Sequence, residues 1–312
     1  MTKLVRAGVA GAGVFGGFHA NKYTEVSGAT LVGIFDADLG RAAAAAEDRG
    51  VQAYDDWSKL LDKVDAVTIA TPASTHGKLA LAALKAGKHV LVEKPIALDL
   101  DTADEMIAIS DEDELILQVG HQERYVADAF GLFARPAPAA VRSRRLNKFS
   151  GRAMDVSVVF DLMIHDLDLL AQFTTIDDVE ITHIEARAEH GPKADYVDVA
   201  LAFPSGLTAS LTASRLETSP NRDLTLQYEE GEVRLDFLAR EATNTTDIPL
   251  AHDFGAGDAP PAFADPLRYG TQRFVDAIRG EGRAPVTGRD GRTALALALM
   301  IEEAAHAAGV LS

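Results

Sequence analysis

Cysteine is absent from the whole 312-residue chain. Without a thiol there is no disulfide framework, no iron–sulfur ligation, no thiolate zinc site and no cysteine nucleophile. That absence fits a reducing compartment, and a cytoplasmic location is expected. Positive charge is scarce as well: 30 Lys and Arg face 47 Asp and Glu, a formal charge of −17. Such a surface repels phosphate backbones, so nucleic acid is not an expected partner. No apolar stretch approaches the ~18 residues of a membrane span, so no membrane partner is expected either. The start, Met1-Thr2-Lys3-Leu4-Val5-Arg6, runs into a short apolar segment ending in glycines and does not read as a secretory signal. What is plentiful is apolar residues, 47% of the chain, enough to bury a sizeable core. The length suggests two domains at roughly 150 residues each.

The chain changes character near residue 120. Before it, the apolar runs Leu4–Ala10, Ala29–Phe35, Ala66–Ala70, His89–Val92 and Leu115–Val119 alternate with helix-like stretches. Fully apolar strands between helices predict an α/β domain with a doubly wound parallel sheet covered on both faces. Beyond it the period becomes two, at Val197–Phe203, Leu207–Ser214, Leu224–Tyr228 and Val233–Phe237. This predicts an α+β domain with a mostly antiparallel sheet, one face buried and the other more polar. Val158–Phe173 reads as a helix, Ala239–Phe263 as a long loop, and helices are expected around Pro266–Arg279 and Asp290–Ala308. The expected domains are residues 1–120 and 121–312, with the closing helix, 290–308, packing back on the first.

Gly11-Ala12-Gly13-Val14-Phe15-Gly16 is a G-x-G-x-x-G placed after a strand and before a helix. The first glycine permits the tight turn, the second lets backbone approach a pyrophosphate, and the third lets helix pack on strand. Twenty residues past Gly16, at the end of the second apolar run, stands Asp36. A carboxylate there accepts hydrogen bonds from an adenosine ribose and repels a 2′-phosphate, which favours NAD. Arg41 keeps NADP open, because it could reach a 2′-phosphate.

Two further groups carry chemistry. Glu93-Lys94-Pro95 ends a predicted parallel strand, at the rim where open α/β sheets bind ligands; a solvated charge pair with a turn proline is the plainer alternative. Asp161-Leu162-Met163-Ile164-His165-Asp166-Leu167-Asp168 places Asp161 and His165, and His165 and Asp168, on one helix face. A carboxylate beside an imidazole fixes its tautomer and stabilises the protonated ring, as a general base requires. Packing within a helix start would explain the same residues without chemistry. Zinc ligation is disfavoured, since no second His or Cys lies nearby, and no metal is expected.

These motifs together resemble the glucose–fructose oxidoreductase/inositol 2-dehydrogenase (Gfo/Idh/MocA) family over essentially the whole chain. The resemblance rests on Gly11–Gly16, Ala70-Thr71-Pro72 with His76, Glu93-Lys94-Pro95 and Asp161-x-x-x-His165-x-x-Asp168. The family's glycine two residues after the first Asp is here Met163. The resemblance implies an N-terminal Rossmann domain, an open-faced C-terminal sheet, and hydride transfer between a sugar-like secondary alcohol and NAD. It implies that His165 takes the hydroxyl proton, that Lys94 donates to the same oxygen, and that Asp161 orients sugar or imidazole. Gly11, Gly13, Val14, Phe15, Gly16, Asp36, Arg41, Thr71, Pro72, His76, Glu93, Lys94 and Gln122 would contact the cofactor. For His76 a plain helix-start role stands as the alternative.

The substrate expectation rests on two features. No acid occurs from Ala129 to Met154, while Arg135, Arg142, Arg144, Arg145, Lys148 and Arg152 all do. They could focus a field on an anionic substrate or form a cationic strand face. Gly120-His121-Gln122-Glu123-Arg124-Tyr125 resembles a stretch of the UDP-N-acetylglucosamine 3-dehydrogenase-like members of the family. Substrate contacts are thus expected from Lys94, Arg124, Tyr125, Arg145, Asp161 and His165, with Arg124 alternatively an ion-pair partner of Glu123. A nucleotide sugar comes first and a free sugar or cyclitol second; a non-sugar carbonyl reductase and a non-catalytic dinucleotide-binding regulator also stay open. The resemblance further implies a homodimer or homotetramer formed through the C-terminal sheet, with Leu207–Ser214 a candidate interface or a solvated face.

Overall fold

Aliphatic runs without polar alternation form the first sheet: β1 (Val5–Ala10), β2 (Ala29–Phe35), β3 (Gln52–Tyr54), β4 (Ala66–Ile69), β5 (His89–Val92) and β6 (Leu117–Val119). The computed structural model describes residues 4–252 and 259–308. In it these strands are all parallel, in the order β3-β2-β1-β4-β5-β6. The strands alternate with α1 (Val14–Glu25), α2 (Leu39–Glu47), α3 (Trp57–Leu61), α4 (His76–Lys85) and α5 (Leu100–Glu112). Side-chain caps start several of them: Asp38 accepts from Gly40 N at 2.8 Å, and Asp99 accepts from Thr102 N at 2.7 Å. Strand order reverses between β1 and β4, and the carboxyl ends there leave the crevice in which doubly wound sheets hold ligands. The compact unit comprises Met1–Gln122 and Asp265–Arg292. The later piece supplies α9 (Pro266–Ile278), whose Phe274 and Val275 join Val5, Val9, Tyr23 and Ile34 in one core.

The second unit, Glu123–Ala264 with Thr293–Ser312, is built on a seven-stranded sheet. Its strands are β7 (Ala140–Leu146), β8 (Glu180–Arg187), β9 (Tyr196–Ala202), β10 (Thr208–Ser214), β11 (Asn221–Tyr228), β12 (Gly231–Asp236) and β13 (Glu241–Asn244), ordered β13-β12-β11-β7-β10-β9-β8. Neighbours are antiparallel except β7 and β10. Val141, Val199, Leu211, Leu226 and Val233 lie buried, while Arg142, Thr208, Ser210 and Gln227 are exposed. The alternation read from the sequence thus gives one core face and one open face. The expected single helix at Val158–Phe173 is instead a π-helical turn, Val159–Met163, followed by α7 (Ile164–Leu170). The loop expected over Ala239–Phe263 contains β13 and the start of α8 (Pro261–Ala264); its residues 253–258 lie outside the described part. The last helix, α10 (Gly288–Ala307), begins within the first unit, where Arg292 Nε donates to Asp104 at 2.7 Å.

One buried ion pair fixes a loop of this unit. The Asp195 side chain is fully buried; it accepts from Glu189 N (2.6 Å), His190 N (2.7 Å) and Arg215 Nε. Arg215 also donates to Ala153 O at 3.1 Å. Burial alone would raise the Asp195 carboxyl, but the two amides and Arg215 outweigh it and hold it below the ordinary range. Its stabilisation is therefore present at neutral pH and fades as pH falls through that depressed value. Asp195→Ala should cost about 3–5 kcal/mol, because Arg215 is left buried without its carboxylate. The urea midpoint measures this; an unmoved midpoint at pH 7 refutes it.

Candidate active site

The glycine loop is shaped to leave room. Gly11 has φ +101°, and a Cβ there would meet Ala70 O at 2.4 Å; a Cβ on Gly16 would meet Gly11 O at 1.8 Å. These two glycines are required by the tight turn and the close helix–strand approach. A Cβ on Gly13 would meet nothing within 4 Å, and Gly13, Val14 and Phe15 are exposed. No side chain caps α1 at Gly13 and no acid stands in its first turn, so the helix start keeps amide donors for an anion. A dinucleotide pyrophosphate fits this cradle.

Asp36 closes the loop from β2. Its Oδ2 accepts from Ala12 N at 2.8 Å, and its Oδ1 accepts from Asp38 N at 2.9 Å and Arg41 Nη2 at 2.8 Å. Burial would raise this carboxyl, but the Asp38 and Ala12 amides and Arg41 hold it below the ordinary range. It is an anion wherever the protein is folded near neutrality, suited to a ribose hydroxyl and hostile to a 2′-phosphate. Arg41, largely exposed, is tied to it. Asp36→Ala should remove the repulsion and free Arg41, shifting the NADP/NAD ratio of kcat/KM upward by about tenfold or more. Asp36→Ala/Arg41→Ala should lose that gain; a ratio that stays put in both variants would place the ribose contact elsewhere.

Lys94 is the second residue after β5, and its side chain is partly exposed. Its neighbours point inward. The Glu93 carboxylate is buried, with Oε1 2.8 Å from His19 Nε2 and accepting from Gln122 Nε2 at 3.2 Å. A Cβ on Gly120 would come within 2.8 Å of it. His76, the first residue of α4, is buried with Nδ1 2.7 Å from Pro95 O and Nε2 2.9 Å from Thr71 O. Thr71 and Pro72 keep part of their surface. Of the expected cofactor contacts, Glu93, Gln122 and His76 are thus hydrogen-bonded to protein groups.

In the second unit every residue from Val156 to Leu170 is buried except Asp161 and His165. The helix pair expected on one face is thus the pair that remains accessible, at a π turn of the kind often found at functional sites. Met163, at the position of the family's glycine, has φ −62° and ψ −30°, an ordinary helical backbone, and its side chain fills core. The carboxylate found on the imidazole comes from α6 (Gln122–Ala129): Glu123 Oε2 lies 2.8 Å from His165 Nδ1. Glu123 Oε1 accepts from Arg145 Nη1 at 3.0 Å and Arg222 Nη1 at 3.2 Å. Burial would raise the Glu123 carboxyl, but His165, Arg145 and Arg222 hold it well below the ordinary carboxylate range.

Asp168, expected beside His165, is instead fully buried on Arg124, which donates through Nε at 2.8 Å. Arg124 is thus an ion-pair partner of Asp168, and its buried guanidinium is bonded within the protein. Arg145 is likewise buried, donating to Asp166 from Nε (2.7 Å) and Nη2 (2.9 Å), and Tyr125 is buried. Within the acid-free basic window, Arg135 and Arg145 are buried, while Arg142, Arg144, Lys148 and Arg152 are exposed. Arg135 is spent on Ile248 O (2.8 Å), Arg144 on Asp223 (2.7 Å) and Arg145 on Asp166. Among the described residues no His, Asp and Glu cluster of metal-binding form occurs.

The family described as "Oxidoreductase family, NAD-binding Rossmann fold" (GFO_IDH_MocA) matches residues 5–121, and the GFO/IDH/MocA C-terminal domain matches residues 128–234. The chain belongs to the Gfo/Idh/MocA family. Its residues 5–121 form the family's NAD-binding Rossmann fold, in keeping with the glycine cradle. UDP-N-acetylglucosamine 3-dehydrogenase of Acidithiobacillus ferrooxidans is 35% identical, over 97% of this chain and 98% of that protein. Its solved structure superposes with a TM-score of 0.84 at 33% identity, covering 97% and 98% of the two chains. Myo-inositol 2-dehydrogenase of Thermotoga maritima is 31% identical over 94% of each chain. The WlbA dehydrogenase of Bordetella pertussis, solved with NADH and UDP-GlcNAcA, shares the fold at a TM-score of 0.83 and 21% identity, covering 99% of this chain and 97% of that one.

Among Gfo/Idh/MocA residues, sequence reasoning missed Glu123 as the imidazole's partner, and His19. A signal existed for His19. It interrupts the buried stripe Gly16, Ala20, Tyr23 of α1, and a polar group on such a stripe requires a partner. Glu123 stands in the family-like Gly120–Tyr125 stretch, but its pairing with His165 had no local trace, because its partners come from β7, β11 and α7 and lie far away in sequence.

Proposed function

We propose that this protein oxidises a secondary alcohol of a sugar, with the 3-hydroxyl of a nucleotide sugar such as UDP-N-acetylglucosamine as first choice. The observation that carries the reading is the 35% identity to a UDP-N-acetylglucosamine 3-dehydrogenase over nearly the full length of both chains. Lys94 and the accessible pair Asp161 and His165 stand alongside it. The glycine loop, Asp36, Thr71 and Pro72 hold the dinucleotide, whose nicotinamide supplies the hydride acceptor. His165 takes the proton of the substrate hydroxyl as the carbon-bound hydrogen departs with its electron pair, leaving a ketone. Lys94 donates a hydrogen bond to that oxygen and stabilises the developing alkoxide. Glu123 positions the imidazole and stabilises its protonated form, and Asp161 orients the sugar.

A free cyclitol or sugar is the second reading. It gains weight because Arg135, Arg144 and Arg145 bind protein partners, which weakens the argument from charge for an anionic substrate. The open face of the second unit's sheet, with Ala200, Thr208 and Ser210 on it, suits pairing into a homodimer or homotetramer. A cytoplasmic location is part of this proposal, supported by the use of a soluble nicotinamide cofactor. Among the described residues no helix is long and apolar enough to cross a membrane. The test is absorbance at 340 nm with NAD against nucleotide sugars, free sugars and cyclitols. NADH formed with UDP-linked sugars supports the first reading; formation with free polyols alone selects the second; silence with NAD still binding overturns both.

A further inference from the structure

We propose that His19 and His76 act as a two-sided clamp that positions Lys94, one on each flank of the residue. The inference rests on the catalytic reading of Lys94 given above, but it stands on geometry within a single unit. On the amino side, His19 grips the Glu93 carboxylate at 2.8 Å, helped by Gln122 at 3.2 Å, and Gly120 leaves the space that carboxylate occupies. On the carboxyl side, the His76 ring spans Pro95 O at 2.7 Å and Thr71 O at 2.9 Å. A carbonyl oxygen only accepts, so the ring is the donor: to one loop as a neutral imidazole, to both as imidazolium.

Both histidines are 1% exposed, which rules out direct contact with an incoming substrate. Burying two imidazoles is costly unless each is hydrogen-bonded, and here one bond of each ring lands on a residue adjacent to Lys94, Glu93 for His19 and Pro95 for His76. The clamp also reaches the cofactor loops. His19 sits on α1, the helix opened by the glycine loop, and Thr71 follows β4, against which Gly11 is packed. The residues on both sides of Lys94 are thus bonded to side chains of α1, which the glycine loop opens, and of α4. A flexible four-carbon side chain gains reach from its own rotamers but inherits its origin and direction from the backbone, so clamping that backbone is what fixes the ammonium. Misplacement by about 1 Å costs on the order of 100-fold in rate.

The deciding experiment uses the full-length protein labelled with 13C at lysine Cε, with the Lys94 resonance assigned by its loss in Lys94→Arg. In His19→Ala and His76→Ala that resonance should move toward the exposed lysines while the others stay. Oxidation of UDP-N-acetylglucosamine by NAD should fall about 10- to 100-fold in kcat. The substrate deuterium isotope effect should rise, and NADH binding, read by energy transfer from the single tryptophan, Trp57, should change less than about threefold. A Lys94 resonance unmoved in both variants overturns the clamp. If the alanine variants do not fold, two milder ones decide. His19→Gln keeps a donor for Glu93 and should leave the resonance in place; His76→Asn is too short to span both carbonyls and should move it, and the reverse pattern overturns the proposal. Full turnover in Lys94→Ala would instead remove the catalytic reading while the resonance still reports on the clamp.

Discussion

His165→Asn is expected to lower kcat/KM for alcohol oxidation by about 100- to 10,000-fold, the range lost when a positioned general base is removed. NADH binding should be nearly unchanged, since no part of the glycine cradle is touched. The partner variant sharpens the argument. Glu123 faces His165 from α6, while Arg145 from β7, Arg222 from β11 and Asp166 from α7 surround that carboxylate or its arginine. Because those cations hold Glu123 well below the ordinary carboxylate range, it stays ionised across any assay range. A carboxylate beside an imidazole favours the protonated ring, and oxidation needs the ring unprotonated. Glu123→Gln should therefore move the acid limb of the kcat/KM profile to lower pH and lower its plateau by about tenfold or more, because protonation in the transition state loses its stabiliser. Less than tenfold loss in His165→Asn would end the base assignment. An unmoved acid limb in Glu123→Gln would leave Glu123 a structural ion.

How far the sequence reached depends on where each signal lay. The parallel strands were legible because each is a continuous apolar run, and β3 was not, because it is three residues long with Gln52 exposed. The strand β7 escaped because its inward positions are Val141, Ser143 and Arg145, so alternation of apolar and polar residues is broken at the places that count. Arg145 is inward since Asp166 and Glu123 await it, a tertiary fact with no local trace. The same limit explains the site. Asp161 and His165 could be paired by helical spacing, and both do remain accessible. Asp168 obeyed the same spacing rule yet was taken by Arg124, a residue 44 positions away in the chain. Local periodicity says which side chains share a face; long-range charge pairing then decides which of them stay available to a ligand.

Lys94→Ala should lower kcat by about 100- to 1,000-fold, the cost of removing one donor aimed at charge that develops in the transition state. The reason for the size is that an alkoxide-like oxygen is unfavourable without a fixed positive partner, and water cannot reproduce an ammonium held by its own backbone. Lys94→Arg should recover little, because a planar guanidinium cannot occupy the position of a compact ammonium. KM for NAD should move far less than kcat, since a donor used only in the transition state contributes little to ground-state binding. The double variant Lys94→Ala/His165→Asn adds the discriminating step. If both residues act on one hydroxyl in one transition state, removing the second should cost much less than it does alone, as in other units that work together. If their losses multiply instead, the two residues act independently, and Lys94 serves the cofactor rather than the alcohol oxygen.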